Sequence, residues 1–326
     1  MIRRLLIANR GEIAIRVARS AAALGIETVA VYTGDDETSL HIKHADNVRR
    51  LPKAGVVGYL DADALISIAR DTDCDAVHPG YGLLSERADF AAACANANLI
   101  FVGPDAKTLE LQGDKMSARA LAEQAGVPVL KGSDLLAGEA DLQAFFDAHE
   151  AAPIIIKAVN GGGGRGMRIV RRADEIDIAF SEARAEALSA FGDDKLYAER
   201  FLESVRHIEV QIIGDGQSVT HLWERDCSVQ RRHQKVIELA PAPNLSEVTR
   251  QGLLDAAVAI GRACDYRGLG TVEFLVEESG SFYFIETNPR IQVEHTITEE
   301  ITGFDLVEIQ LKLASGQALG DVGLGE

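Results

Sequence analysis

The stretch Thr271-Val-Glu273-Phe-Leu-Val276, Glu277-Glu-Ser-Gly280, Ser281-Phe-Tyr-Phe-Ile-Glu286-Thr-Asn288 reads as two strands joined by a short glycine turn. Closing the hairpin with Ser279-Gly280 as a two-residue turn pairs 278 with 281 and sets Glu273 opposite Glu286. A four-residue loop centred on the same pair gives the same register. Asn288 falls one step along on the same face, because strand side chains alternate. Opposed side chains bring Cβ atoms to about 5 Å, where like charges repel. A divalent cation between the carboxylates resolves that conflict; two solvent-facing glutamates with weak repulsion are the alternative. The neighbours Val272, Phe274, Val276, Phe284 and Ile285 are apolar and predict burial, which favours the cation. An oxygen-only donor set of Glu273, Glu286 and Asn288 suits Mg²⁺ or Mn²⁺.

Working toward the N-terminus, strand-like runs at 207–213 and 219–224 predict that the hairpin belongs to an antiparallel sheet. Between about 130 and 202 lies a smaller α/β unit, with a buried strand at Ile154-Ile-Ile156, then Lys157, then Asn160-Gly-Gly-Gly-Gly-Arg165-Gly166. Four adjacent glycines suit a backbone that bends sharply or lies against something bulky, and its N–H groups can cradle phosphate. A flexible connector is the competing explanation, but it gains nothing from a lysine fixed at the end of a core strand. The Walker pattern is absent.

At the N-terminus, Leu5–Ala8 is a short apolar strand, and Ile13, Val17, Ala18, Ala21 and Leu24 recur at helical spacing up to Gly25. Thr28–Tyr32 is a second strand, and a helix at Asp61–Arg70 and strands near Ala76 and Ile100 continue the alternation. This is a Rossmann-like α/β pattern with a parallel sheet. Its turn, Asn9-Arg10-Gly11-Glu12, lacks the dinucleotide fingerprint, so a nicotinamide cofactor is not expected. The divisions that follow are 1–112, 113–202 and 203–326.

Fifty acidic against thirty-three basic residues leave a formal charge of −17, which argues against nucleic acid or an anionic membrane as the main partner. The four cysteines are scattered, so neither a zinc site nor a disulfide framework is expected. The N-terminal apolar run stops at Asn9, too soon for a signal peptide, and no run approaches membrane-spanning length. Cytoplasmic location is the expectation.

Two mixed runs complete the pattern: Glu224-Arg-Asp-Cys-Ser-Val-Gln-Arg-Arg-His-Gln-Lys235 and Arg290-Ile-Gln-Val-Glu-His295. Cations and amides beside one carboxylate suit a small anion held next to ATP, with the carboxylate as a base.

Eight ordered segments together resemble the biotin carboxylase family of ATP-grasp enzymes. They are Ile7-Ala-Asn-Arg-Gly-Glu-Ile-Ala14, His78-Pro-Gly-Tyr-Gly-Leu-Leu-Ser-Glu86, Gly113-Asp-Lys115, Lys157 with the 161–167 loop, Glu224–Ser228, Gln230–Lys235, Gly270-Thr-Val-Glu-Phe274 and Arg290–His295. The resemblance implies an α/β and α+β chain: an N-terminal Rossmann-like domain (1–112), an ATP-grasp linker and lid subdomain (113–202), and a catalytic subdomain (203–326). It implies that Lys115, Lys157 and His233 contact ATP, that Gly163-Gly164 belong to a moving lid, and that Glu199, Arg200, Phe201, Leu202 and His207 line the adenine and ribose pocket. Glu273, Glu286 and Asn288 hold Mg²⁺ or Mn²⁺; Lys235, Arg290, Gln292 and Val293 hold bicarbonate. Glu294 takes the position of the general base and Arg290 steadies the anionic intermediates.

The implied reaction is ATP-dependent carboxylation of biotin by bicarbonate through carboxyphosphate, with a biotin carboxyl carrier and a carboxyltransferase as partners and a homodimer in the full-length form. The alternatives are a carbamoyl-phosphate-synthase-like ligase and a non-catalytic nucleotide-binding or assembly module. Asn160 replaces the lid's first glycine. The resemblance also predicts a C-terminally truncated chain whose biotin arrives on another segment or chain.

Overall fold

The computed structural model describes residues 1–150, 152–160, 166–232 and 234–325. Five parallel strands, β1 (Arg4–Ile7), β2 (Glu27–Tyr32), β3 (Asn47–Arg50), β4 (Ala76–His78) and β5 (Ile100–Phe101), form a sheet in the order β3-β2-β1-β4-β5. Leu5, Leu6 and Ile7 are all buried, as a strand covered on both faces requires. Helix Gly11–Ala23 returns the chain with Ile13, Ala14, Val17, Ala18 and Ala21 turned inward. Asp61 caps helix Ala62–Asp71, accepting from the Ala64 N–H at 3.1 Å.

In this strand order the topological switch lies between β1 and β4, where open α/β sheets commonly bind ligands. Here the Asn9 Nδ2 donates across the crevice to the carbonyls of Pro79 (2.7 Å) and Tyr81 (2.9 Å). Gly80, at φ +64°, makes room: a Cβ there would meet the Asn9 amide at 2.8 Å. The amide ties the two loops together.

A second sheet, β6 (Ile154–Ala158), β7 (Arg168–Val170) and β8 (Leu196–Arg200), is antiparallel in the order β7-β6-β8. Its apolar residues pack on helices Glu139–Ala148 and Ile176–Phe191 through Leu142, Phe146, Phe180, Ala183 and Ala187.

The third sheet carries the hairpin. Strands β9 (Arg206–Asp215), β10 (Val219–Arg231), β11 (Gln234–Leu239), β12 (Arg267–Val276) and β13 (Phe282–Asn288) run in the order β11-β10-β9-β12-β13, all antiparallel. On one face Ile208, Val210, Ile212, Val272 and Phe274 pack against Leu253, Leu254, Ala257 and Ile260 of helix Glu247–Ala263. The other face presents the polar alternates. The chain then returns to its start: Leu306, Val307, Ile309 and Leu311 of helix Leu306–Ala314 share a core with Leu5, Ile13 and Val17. Among the described residues no helix is long and apolar enough to cross a membrane.

Candidate active site

The hairpin sets Glu273 opposite Glu286, but by a different route from a two-residue turn. Glu277 N–H bonds the Ser281 carbonyl at 2.9 Å, leaving Glu278-Ser279-Gly280 as a three-residue loop with Gly280 at φ +87°. That loop shifts pairing by one residue, so Phe274 faces Phe284. A bulge between Glu273 and Phe274 inserts Ile285 and restores the register of the glutamates. Bulge and loop compensate, and Thr271 then faces Asn288.

On the polar face of this sheet one ammonium serves three carboxylates. Lys235 Nζ donates to Glu273 Oε1 and to Glu294 Oε1, each at 2.8 Å, and also to Glu209 Oε2. Glu273 further accepts from Asn288 Nδ2 (2.9 Å) and from His207 Nε2 (2.8 Å), while Gln230 Nε2 donates to His207 Nδ1 (2.7 Å). Burial alone would raise the Glu273 carboxyl, but His207 and Lys235 outweigh it and hold it well below its ordinary value. Burial would likewise lower Lys235; Glu273, Glu209 and Glu294 push it far up instead, so it stays an ammonium.

Beyond β13, Arg290 reaches three side chains and the Ile291 carbonyl (3.2 Å). Its Nε donates to Glu86 Oε1 (2.8 Å), its Nη2 to Asn288 Oδ1 (3.1 Å), and its Nη1 to Gln292 Oε1 (3.3 Å). The Nε2 of Gln292 is buried with no acceptor among the described residues. Glu294 is the N-cap of helix His295–Thr302, and Val293 beside it is exposed.

Lys115, at the start of helix Lys115–Gln124, donates to Glu286 Oε2 at 2.8 Å. Burial would lower this ammonium, but Glu286 and more distant carboxylates raise it above its usual value. Lys157, at the end of the buried strand β6, bonds Glu199 on β8, which also takes Arg119. Burial works to raise the Glu199 carboxyl, and Lys157 and Arg119 together hold it below the carboxylate range. Arg200 is exposed, Phe201 half-buried and Leu202 buried beside it. The resemblance places His207 with these four residues; strand β9 sets its ring 2.8 Å from Glu273 Oε2. Gly163, Gly164, Arg165 and His233 lie outside the described residues.

Glu273, Glu286 and Asn288 fit Mg²⁺ as a donor set: hard oxygens only, the two carboxylates facing each other on neighbouring strands. Two other groups, His207/Glu209/Glu273 and Glu209/Cys227/Glu294, bring ligand atoms within 4.8 Å of one another. They suit a metal less well. One includes an imidazole nitrogen and the other a thiol, softer donors than Mg²⁺ favours, and burial drives the Cys227 thiol far above its usual value.

Glu209 and Arg225 are both fully buried; the sequence reading includes Arg225 only as part of the run from Glu224 to Lys235 and assigns Glu209 nothing, although a signal for Glu209 is present. In His207-Ile-Glu209-Val-Gln211-Ile, polar residues occupy every second position of an apolar strand. That alternation marks a polar face on a sheet whose other face is core.

Comparison with known proteins identifies the family. Residues 1–109 match the family described as biotin carboxylase, N-terminal domain, and residues 114–322 match the carbamoyl-phosphate synthase L chain, ATP binding domain. The biotin carboxylase of Halalkalibacterium halodurans is 48% identical over 98% of this chain and 71% of its own length. The pyruvate carboxylase of Bacillus subtilis is 50% identical over 98% of this chain, which spans 28% of that protein. Among solved structures, the biotin carboxylase domain dimer of the Hydrogenobacter thermophilus 2-oxoglutarate carboxylase, in complex with MgADP, ADP and bicarbonate, superimposes with a TM-score of 0.94. It is 41% identical and is matched over 98% of this chain and 71% of that one. With an N-terminal parallel sheet, an antiparallel sheet bearing paired glutamates, and relatives of this closeness, the chain belongs to the biotin carboxylase family, with an ATP-grasp fold.

Proposed function

We propose that this chain carries out the first half-reaction of a biotin-dependent carboxylase: ATP and bicarbonate carboxylate biotin presented by a carrier. The observation that carries the reading is Lys235, one ammonium bonded to Glu209, Glu273 and Glu294, which ties the hairpin to the base candidate beside Arg290. The relative from Hydrogenobacter, held with MgADP and bicarbonate, supports the same ligands here.

In this reading Lys115 and Lys157 attract the phosphates, and His233, Gly163 and Gly164, outside the described residues, serve the nucleotide as the resemblance implies. Arg200, Phe201 and Leu202 border the nucleotide. Glu273, Glu286 and Asn288 hold Mg²⁺ or Mn²⁺, which when bound neutralises phosphate charge. Arg290 and Lys235 bind bicarbonate through its charge, and the unpartnered Gln292 amide donates to one of its oxygens. Val293 borders the anion. Glu294 removes the bicarbonate proton, and the freed oxygen attacks the γ-phosphorus as ADP leaves. The carboxyphosphate so formed breaks to CO₂ and phosphate. The phosphate takes the proton from biotin N1, and N1 attacks CO₂. Arg290 steadies the successive anions.

Biotin carboxyl carrier, carboxyltransferase and a homodimeric assembly are the proposed partners, and cytoplasm the proposed location. Phosphate release from ATP that requires bicarbonate and rises with free biotin is the expected result. A rise with ammonia instead points to carbamoyl phosphate formation. Nucleotide binding with no hydrolysis overturns the enzymatic reading.

A further inference from the structure

Arg225 is fully buried, the largest such side chain among the described residues, and none of the roles above uses it. Its guanidinium meets four acceptors on three elements. Nε donates to Glu209 Oε1 at 2.5 Å on β9, and Nη1 to Gln211 Oε1 at 2.9 Å on the same strand. Nη2 donates to Thr271 Oγ1 of β12 at 3.2 Å, and Nη1 also to Thr298 Oγ1 of helix His295–Thr302 at 2.8 Å. Gln211 is itself fixed by its Nε2 on the Gly270 carbonyl at 2.9 Å.

A guanidinium withdrawn from water is no gain in stability over a well-packed apolar side chain of the same volume. Its presence here is informative because two of its four bonds lead to the same atom group. Glu209 passes its second oxygen to Lys235, and Lys235 holds Glu294 at 2.8 Å. Thr298 lies one turn into the helix whose N-cap is Glu294. Three carboxylates share the Lys235 ammonium, and Arg225 supplies the second cation for Glu209. Without it Glu209 has Lys235 as its one cationic partner among the described residues, and that lysine is drawn from Glu294.

We infer that Arg225 is a positioning residue: through Glu209–Lys235 on one side and Thr298 on the other, it fixes the Glu294 carboxylate where bicarbonate must give up its proton. This rests on the proposed role of Glu294 as base.

Arg225→Met, Arg225→Lys and Thr298→Val test it. In Arg225→Met the turnover number for bicarbonate-dependent ATP hydrolysis falls about 100-fold, the loss expected for a base displaced by about 1 Å, while the KM for ATP moves less than about threefold. Arg225→Lys, which keeps the charge, recovers part of the loss. Thr298→Val keeps the side-chain shape, removes one hydrogen bond and lowers turnover about fivefold, with a melting temperature only about 2–4 °C below the parent's. A crystal structure of Arg225→Met, or of Thr298→Val if the first does not fold, shows the Lys235–Glu294 contact lengthened. Parental turnover in folded variants, or loss of ATP binding in step with turnover, overturns the inference. So does an unchanged Lys235–Glu294 contact. A parent chain without bicarbonate-dependent hydrolysis overturns the proposed function instead, and the contact distance then decides the positioning claim.

Discussion

The carboxyl end of the parallel sheet and the polar face of the large antiparallel sheet both gather charged side chains, and they balance them differently. Beside the parallel sheet, Asp36 receives Arg10 Nη1 (3.1 Å), the Tyr59 hydroxyl (2.9 Å) and Ser39 Oγ (3.0 Å), with the Arg10 guanidinium 5.4 Å from the Tyr59 ring centre. With Thr33 Oγ1 at 3.4 Å as well, one carboxylate meets one guanidinium and three hydroxyls. On the antiparallel sheet three carboxylates share Lys235, and Glu286 beside them takes Lys115. A matched network closes a fold. A face crowded with carboxylates that share their cations is suited to a further divalent ion, and its lysines and arginine to the anions that come with one.

If that difference is functional, changes on the two faces separate activity from stability. The largest effect is expected at Glu294. Glu294→Gln keeps the helix N-cap position but removes the proposed base, so bicarbonate-dependent hydrolysis is expected to fall about 1,000-fold while nucleotide affinity stays within about twofold. Turnover near the parent's breaks the comparison.

Glu199→Gln leaves Lys157 and Arg119 without their buried carboxylate and costs about 3 kcal/mol at neutral pH. Because its folded value lies below the ordinary 4.5, the stabilisation is present in full above that value and is lost as pH falls through the folded one. The gap in unfolding free energy between parent and variant therefore holds from about pH 7 to pH 5 and narrows below. A gap that widens in acid contradicts the assigned ion pairs.

Asp36→Asn, in the matched network, lowers stability by about 1–2 kcal/mol and leaves turnover within about twofold. Gly280→Ala is smaller still. It places a Cβ on a φ of +87° and 2.8 Å from Thr249 Oγ1, which costs about 1 kcal/mol by thermal unfolding without touching turnover.

The hairpin also shows how far sequence could carry the account. Alternation and the glycine turn put Glu273 opposite Glu286, and that register is the one observed. The loop was one residue out, because a bulge at Ile285 is invisible to alternation, and the two offsets cancel. The parallel sheet was legible from its apolar strands and from the helix periodicity at Ile13, Val17 and Ala21. Strand β11 was hidden because Gln234–Leu239 continues a charge run, and its edge position leaves Val236 and Ile237 exposed. The sharing of Lys235 among residues 26, 38 and 59 positions away is tertiary, and no local pattern encodes it. The same holds for the packing of helix Leu306–Ala314 on the first helix.

The account depends most on the two opposed glutamates sharing a divalent cation. Measuring ATP affinity with and without Mg²⁺, in the parent and in Glu286→Gln, tests that directly. In the parent Mg²⁺ tightens ATP; in the variant that gain shrinks by at least about tenfold, while metal-free affinity stays close to the parent's. A variant that keeps the full Mg²⁺ enhancement contradicts the account.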